Sequence, residues 1–251
     1  TFFLFTMKIH FEGQIKFIHL GASGPNLLTL KRQQQLISEL DYENCKGVIL
    51  LGNNAIFSAG LNLVDLVNAN EDEVSEIFRT FINLLIAIRN FSGPVFSIVS
   101  GHAIAGGCLL ALACDYRYGM FGFHRMGLNE MALSLDLPKS ILSILSTTIN
   151  PNFLFEIASQ CKLYSPRQAF DRGLTNEYIR NPFIGKKKAT ELALLKAKKL
   201  ANFYIDAGDP FCRLKKTFSS NSNFDHGVLV KNWFSSKTQT KVKIALQRIK
   251  K

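Results

Sequence analysis

The chain has 251 residues, enough for one large core, and 47% of them are apolar, which argues against disorder. Thirty Lys and Arg against 19 Asp and Glu give a formal net charge of +11, so an anionic partner fits, but no DNA- or RNA-binding motif accompanies the charge. No charge-free stretch of about 20 apolar residues argues for a membrane span, and five cysteines without C-x-x-C spacing fit free thiols in a reducing, cytoplasmic setting, with neither a disulfide scaffold nor a zinc site.

Thr1 to Thr6 is apolar but too short for a span, shows no secretory pattern, and leaves Met7 to read as the start. Alternation from Lys8 to Leu20 predicts two paired strands turning at Glu12-Gly13-Gln14. After the loop Gly21 to Asn26, the leucines of Leu27 to Leu40 suit a helix. Gly47 to Leu51 is a short apolar run stopped by Gly52-Asn53-Asn54, which predicts a buried strand. Asp72 to Asn90 carries Val74, Ile77, Phe78, Phe81, Leu84, Leu85 and Ile88 at helical spacing. A second buried strand is predicted over Pro94 to Val99 and a helix from Ala105 to Asp115, with Cys108 and Cys114 as core packing. Strand, glycine loop and helix thus occur twice, over 48–66 and 95–115, the mark of an α/β core. Tyr118, Phe121 and Phe123 sit in a short link to Gly127. Beyond Asn150 helices are predicted over Phe153 to Ser159 and Pro166 to Arg172, with Gly173 as a stop. A long basic helix follows over Ala189 to Asp206, and one or two more lie within 221–251. The late lysines suit a solvated helical surface or attraction of a phosphorylated small molecule, and Phe211, Phe218, Phe224 and Phe234 read as core and subunit contacts.

Three segments carry chemistry. Phe57-Ser58-Ala59-Gly60-Leu61-Asn62-Leu63 and Gly101-His102-Ala103-Ile104-Ala105-Gly106-Gly107-Cys108 each join an apolar strand-like run to a helix-like one. Leu61 and Gly106 therefore offer N–H groups without helical acceptors, because the first donors of a helix are orphaned. The partial positive charge of a helix start adds to two such hydrogen bonds on one carbonyl oxygen. A Gly-Gly pair also serves plain strand–helix packing, so both readings stand. Met126-Gly127-Leu128-Asn129-Glu130 adds one carboxylate, Glu130, on an apolar segment, with Met126, Leu128, Met131 and Leu133 as its surroundings. Alone, Glu130 reads equally as an exposed loop or helix-cap residue. His102 suits packing or hydrogen bonding, His124 and Arg125 suit the surface, and Asp115 and Arg117 suit the end of their helix.

Together these segments resemble the crotonase, or enoyl-CoA hydratase/isomerase, superfamily over about Ile15 to Ile179. The stretch Phe57 to Leu63 is similar to its first signature, and Ala105-Gly106-Gly107-Cys108 with Leu109 to Arg117 to its second. The resemblance implies an α/β fold: a spiral core of repeated strand–strand–helix units over 1–180, and a helical region over 181–251 for oligomerisation and pocket closure. It also implies an oxyanion hole from the Leu61 and Gly106 N–H groups, and substrate contacts from Ala59, Gly60, Leu61, Asn62, Leu63 and Gly106. An acyl-CoA thioester is the implied substrate, with no cofactor beyond its own coenzyme A, no metal, and a homotrimer or hexamer as the assembly. Hydratases of this superfamily use two glutamates, and the position of the first is Leu109 here. The second falls on Glu130, and the wording around Leu61, Glu130 and Leu112 to Arg117 is similar to that of Δ3,Δ2-enoyl-CoA isomerases, in which one glutamate moves the proton. Asn62 in place of an aspartate, and Ser134-Leu135-Asp136 in place of a glycine-centred turn, depart from the pattern. The alternatives are another crotonase-type reaction, hydration or thioester hydrolysis, and a catalytically silent acyl-CoA-binding subunit.

Overall fold

A computed structural model of the chain describes residues 7–219 and 226–249. Strands β1 (Lys8–Glu12) and β2 (Ile15–His19) form the expected hairpin, with Gly13 at a φ of 60° that its turn requires. Helix α1 (Leu30–Ser38) starts later than its leucines suggest, because the Thr29 side chain caps Arg32 N–H and Leu28 stays extended to bridge Leu61. Next come β3 (Gly47–Leu51), β4 (Ile56–Ser58), α2 (Leu63–Asn68) and α3 (Glu71–Asn90). They are followed by β5 (Val95–Val99), β6 (His102–Ile104), α4 (Gly106–Ala113), β7 (Tyr116–Met120) and β8 (Met126–Gly127). Helices α5 (Lys139–Thr148), α6 (Leu154–Ser159) and α7 (Pro166–Asp171), strand β9 (Glu177–Ile179), and helices α8 (Gly185–Ala207), α9 (Asp209–Ser219), α10 (Gly227–Trp233) and α11 (Ser236–Ile249) complete the order.

One strand–strand–helix unit recurs three times: β3-β4-α2, β5-β6-α4 and, with a 3-10 turn between, β7-β8-α5. The first strand of each pair joins a six-stranded sheet of order β1-β2-β3-β5-β7-β9, parallel apart from the hairpin. The second joins a small parallel sheet, β4-β6-β8. Strands β3 and β5 read as unbroken apolar runs because both their faces are covered. One face packs under α3, α4 and α5, and the other under α8, whose Ala189, Ala193, Ala197 and Ala201 form a buried stripe small enough for close approach to the sheet.

The link between Arg117 and Gly127 contains most of β7, so its tyrosines and Met120 belong to the sheet. His124 is buried, against its expected surface position, while Arg125 is exposed. Phe211 stacks on Tyr204, but Phe218 and Phe234 are exposed and not core. Phe224, Lys250 and the segment before Met7 lie outside the described residues. Arg117 is buried and donates to the Leu174 and Cys114 carbonyls, and Asp115 accepts from Val95 N–H and Lys215 Nζ. Cys108 and Cys114 are buried, as packing residues should be. Among the described residues no helix is long and apolar enough to cross a membrane.

Candidate active site

The carboxyl ends of β4, β6 and β8 converge, and the three chemistry-bearing segments begin there. After β4, Ser58 Oγ accepts from Gly60 N–H at 3.1 Å and donates to the Asn26 carbonyl at 2.8 Å, which pins the turn. Asn26 in turn donates from Nδ2 to the Ile56 and Phe57 carbonyls. Gly60 has a φ of 86°, and a Cβ there would lie 2.9 Å from the Gly106 nitrogen, so glycine is required for conformation and for space. Its carbonyl accepts from Leu28 N–H, while Leu61 N–H has no protein acceptor among the described residues. Asn62 caps α2, its Oδ1 accepting from Val64 N–H at 3.2 Å, so a neutral residue does the capping where the family pattern has an aspartate.

After β6, Ala105 adopts φ 50° and ψ −125°, a strained conformation for a residue with a Cβ, and no side chain caps α4. Gly106 N–H heads that helix without an acceptor among the described residues, and a Cβ on Gly106 would stand 3.4 Å from the Leu61 nitrogen. The two amides are thus neighbours across the two loops. The glycine pair divides its work: Gly106 lines the cavity, whereas a Cβ on Gly107 would fall 2.1 Å from the Ser58 carbonyl oxygen, which makes Gly107 the packing glycine.

After β8, Glu130 opens a short 3-10 turn, Glu130–Leu133, and its Oε2 accepts from Asn129 N–H at 2.9 Å. Burial pushes the carboxyl up to about 7, against the pull of the Glu130 and Asn129 N–H groups. Ser134 closes the turn at φ 60°, the left-handed region that favours glycine, and Thr238 Oγ1 on α11 donates to its carbonyl. The turn expected of a glycine is therefore kept by a serine.

All three segments border one cavity of about 110 Å³. Ala59, Leu61, Leu63, Gly106 and Glu130 line it, whereas Gly60 and Asn62 stand behind, shaping the turn and capping the helix. Leu109 lines it too. Among the described residues of the lining Glu130 is the sole ionisable side chain, and Asn129, whose Oδ1 lacks a partner, is the sole other polar one. Of the four apolar residues expected around Glu130, Leu133 lines the cavity, Met126 and Leu128 are buried outside its lining, and Met131 is 46% exposed. Sequence reasoning missed Phe78, Leu135, Leu229 and Trp233 as wall residues. Phe78 reads as part of the apolar face of its helix, Leu135 only as part of the Ser134-Leu135-Asp136 departure, and Leu229 and Trp233 do not stand out; nothing local distinguishes a core residue from one beside a void. Among the described residues no His, Cys, Asp and Glu cluster could hold a metal ion.

The family model for enoyl-CoA hydratase/isomerase matches residues 26–207. Mitochondrial enoyl-CoA delta isomerase 1 of Rattus norvegicus is 29% identical over 174 residues, 67% of this chain and 60% of that protein. The same-named protein of Mus musculus is 30% identical over 139 residues, 55% of this chain and 48% of that one. The chain spans about half the length of the curated relatives it matches. Among solved structures, human mitochondrial Δ3-Δ2-enoyl-CoA isomerase superposes with a TM-score of 0.83 at 22% identity, covering 97% of this chain and 98% of its own. An enoyl-CoA hydratase from Bacillus halodurans superposes with a TM-score of 0.76 at 16% identity, covering 95% and 99%. The fold is shared by proteins named for either reaction, so the choice between them rests on the side chains.

Proposed function

Because the chain belongs to the enoyl-CoA hydratase/isomerase family, we propose that it is an acyl-CoA isomerase that moves a 3-enoyl-CoA double bond to the 2,3 position. The observation that carries this reading is a single carboxylate, Glu130, raised toward neutrality in a largely apolar cavity bordered by two N–H groups that have no acceptor among the described residues. In the proposed reaction, Leu61 N–H and Gly106 N–H donate to the thioester oxygen. The Glu130 carboxylate removes a proton from C2, and the electron pair spreads over the oxygen, C2 and C4 as a dienolate. The same carboxylic acid returns the proton to C4, leaving the double bond between C2 and C3 and Glu130 ionised again. Donors placed where charge develops act strongly in a dry site, about 3 kcal/mol each, and the start of α4 adds its dipole. Coenzyme A belongs to the substrate, and no further cofactor enters this scheme.

Leu109 argues against two-carboxylate hydration, since it puts an apolar side chain in the lining at the position where the hydratase pattern has its first glutamate. Conversion of 3-enoyl-CoA by the Glu130→Gln variant is expected to fall about 10²–10⁴-fold. Full activity in that variant would remove the shuttle, and rapid formation of a 3-hydroxyacyl product from 2-enoyl-CoA would favour hydration. In the proposed division of labour residues 1–180 carry the chemistry, and 181–251 close the pocket through Leu229 and Trp233 and join subunits into a trimer or hexamer. Exposed Leu195, Phe203 and Leu214, all within 181–251, support such assembly.

A further inference from the structure

A second group of polar side chains collects at the opposite end of the small sheet, where β4 and β6 begin and β8 is about to. His102 opens β6: its N–H donates to the Ala55 carbonyl at 2.8 Å, and its Nδ1 accepts from Arg125 N–H at 3.1 Å. Arg125, just ahead of β8, folds its guanidinium onto the Phe123 and His124 carbonyls. Lys186, in the first turn of α8, donates to the carbonyl of Asn54, the residue before Ala55. His124 is 5% exposed, and its Nδ1 has no hydrogen-bond partner. Burial, then the charges of Lys186, His102 and Arg125, push His124 down to about 4. Burial, Arg125 and Lys186 lower His102 likewise, so every charge acting on either ring is positive. Among the described residues neither Arg125 nor Lys186 makes an ion pair.

Helix α8 starts at the same corner in a way that asks for an anion. No side chain caps it, its first turn holds no acidic residue, and Lys186, Lys187 and Lys188 stand where the helix dipole disfavours positive charge. Next to the corner an open groove of about 570 Å³ passes Asn54, Ser100 and Thr190 toward His19 and Lys8. Thr190 lies one turn along α8 from Lys186 and donates to its carbonyl. The groove follows the carboxyl ends of β2, β3 and β5, where sheets of this kind commonly hold ligands, and its size suits a small molecule.

We infer that this corner is a binding site for the phosphate group of a small phosphorylated molecule, separate from the acyl pocket, with Lys186, Arg125 and His102 as its donors, His124 behind them, and the start of α8 adding its dipole. The three residues of β6 separate His102 from the Gly106 side by about 10 Å of strand. An anion there offsets the repulsion among these groups and meets the helix start with the preferred charge.

The test titrates inorganic phosphate and, in a separate arm, adenosine diphosphate into the full chain at constant ionic strength, read by thermal shift and by the His124 ring signals in NMR. A saturable response is expected, with the His124 pKa moving upward. Lys186→Gln should weaken binding about tenfold or more, as loss of a charge-assisted hydrogen bond does, and Lys186→Arg should retain it within about threefold. Tighter binding of the diphosphate than of phosphate would place the rest of the ligand in the groove. Saturating butyryl-CoA, its own binding measured first, should leave the phosphate response unchanged. No saturable response, an unchanged response in Lys186→Gln, or displacement by butyryl-CoA would overturn the site, the last by making the corner a seat for coenzyme A itself. None of these outcomes depends on whether the acyl pocket isomerises its substrate.

Discussion

In the proposed reaction, ionisation of Glu130 has opposite effects on rate and on stability. Burial holds its carboxyl at about 7 in the folded chain against an ordinary value of 4.5. Between those two values the folded chain binds more protons than the unfolded one, so stability falls as pH rises through the window and levels off above about 7. Glu130→Gln, which cannot ionise, is expected to exceed the wild type in stability by about 3 kcal/mol at pH 8 and to lose that advantage below pH 4.5. Urea melts at the two pH values check this. The proposed catalysis runs the other way, since its base would be the carboxylate: kcat/KM for 3-enoyl-CoA should rise with pH and flatten above about 7. A flat profile across that range would separate Glu130 from the proton transfer.

The position of α4 against β4 is set by one missing side chain. A methyl group on Gly107 would meet the Ser58 carbonyl, backbone that cannot turn aside, so the helix start and the β4 turn must separate. Gly107→Ala is expected to cost about 1–3 kcal/mol and to lower kcat sharply, because the Leu61 and Gly106 amides would no longer be neighbours. The start of α3 supplies the contrast. Asn70 Oδ1 accepts from Glu73 N–H at 3.0 Å, and Glu73 Oε2 accepts from Asn70 N–H at 2.8 Å, a complete capping box whose residues are not in the cavity lining. Asn70→Ala should cost about 1 kcal/mol, lower Tm by a few degrees and leave kcat unchanged. Equal loss of activity in both variants would mean that general destabilisation, not local geometry, governs the rate.

At the scale of the whole molecule, the C-terminal helices complete what the strand–strand–helix units begin. Lys215 on α9 is buried and reaches the Asp115 carboxylate at 2.6 Å and the Gly93 carbonyl at 2.9 Å, tying that helix to the strands. Trp233 on α10 is 1% exposed, meets Phe78 edge-on at 6.0 Å and walls the cavity. Trp233→Ala should cost about 3–5 kcal/mol and shift the preference of the pocket toward longer acyl chains, measured as kcat/KM across a chain-length series. An unchanged series would place the limit on chain length elsewhere in the lining.

The buried strands β3 and β5, the amphipathic α3 and the glycine turn at Gly60 were legible from the chain alone, because each is set by a local pattern: an unbroken apolar run, a helical period, a turn at a positive φ that favours glycine. Glu130 stood out as a lone charge on an apolar segment, but that pattern alone fits an exposed loop equally, and its place in the cavity lining depends on packing. Strands β4, β6 and β8 were not legible, since two or three residues are too few to show a period, and they exist by pairing with one another. The burial of His124, the wall formed by Trp233, and the meeting of three loops at one void were decided by the tertiary structure, because each depends on residues far apart in the chain that only packing brings into contact.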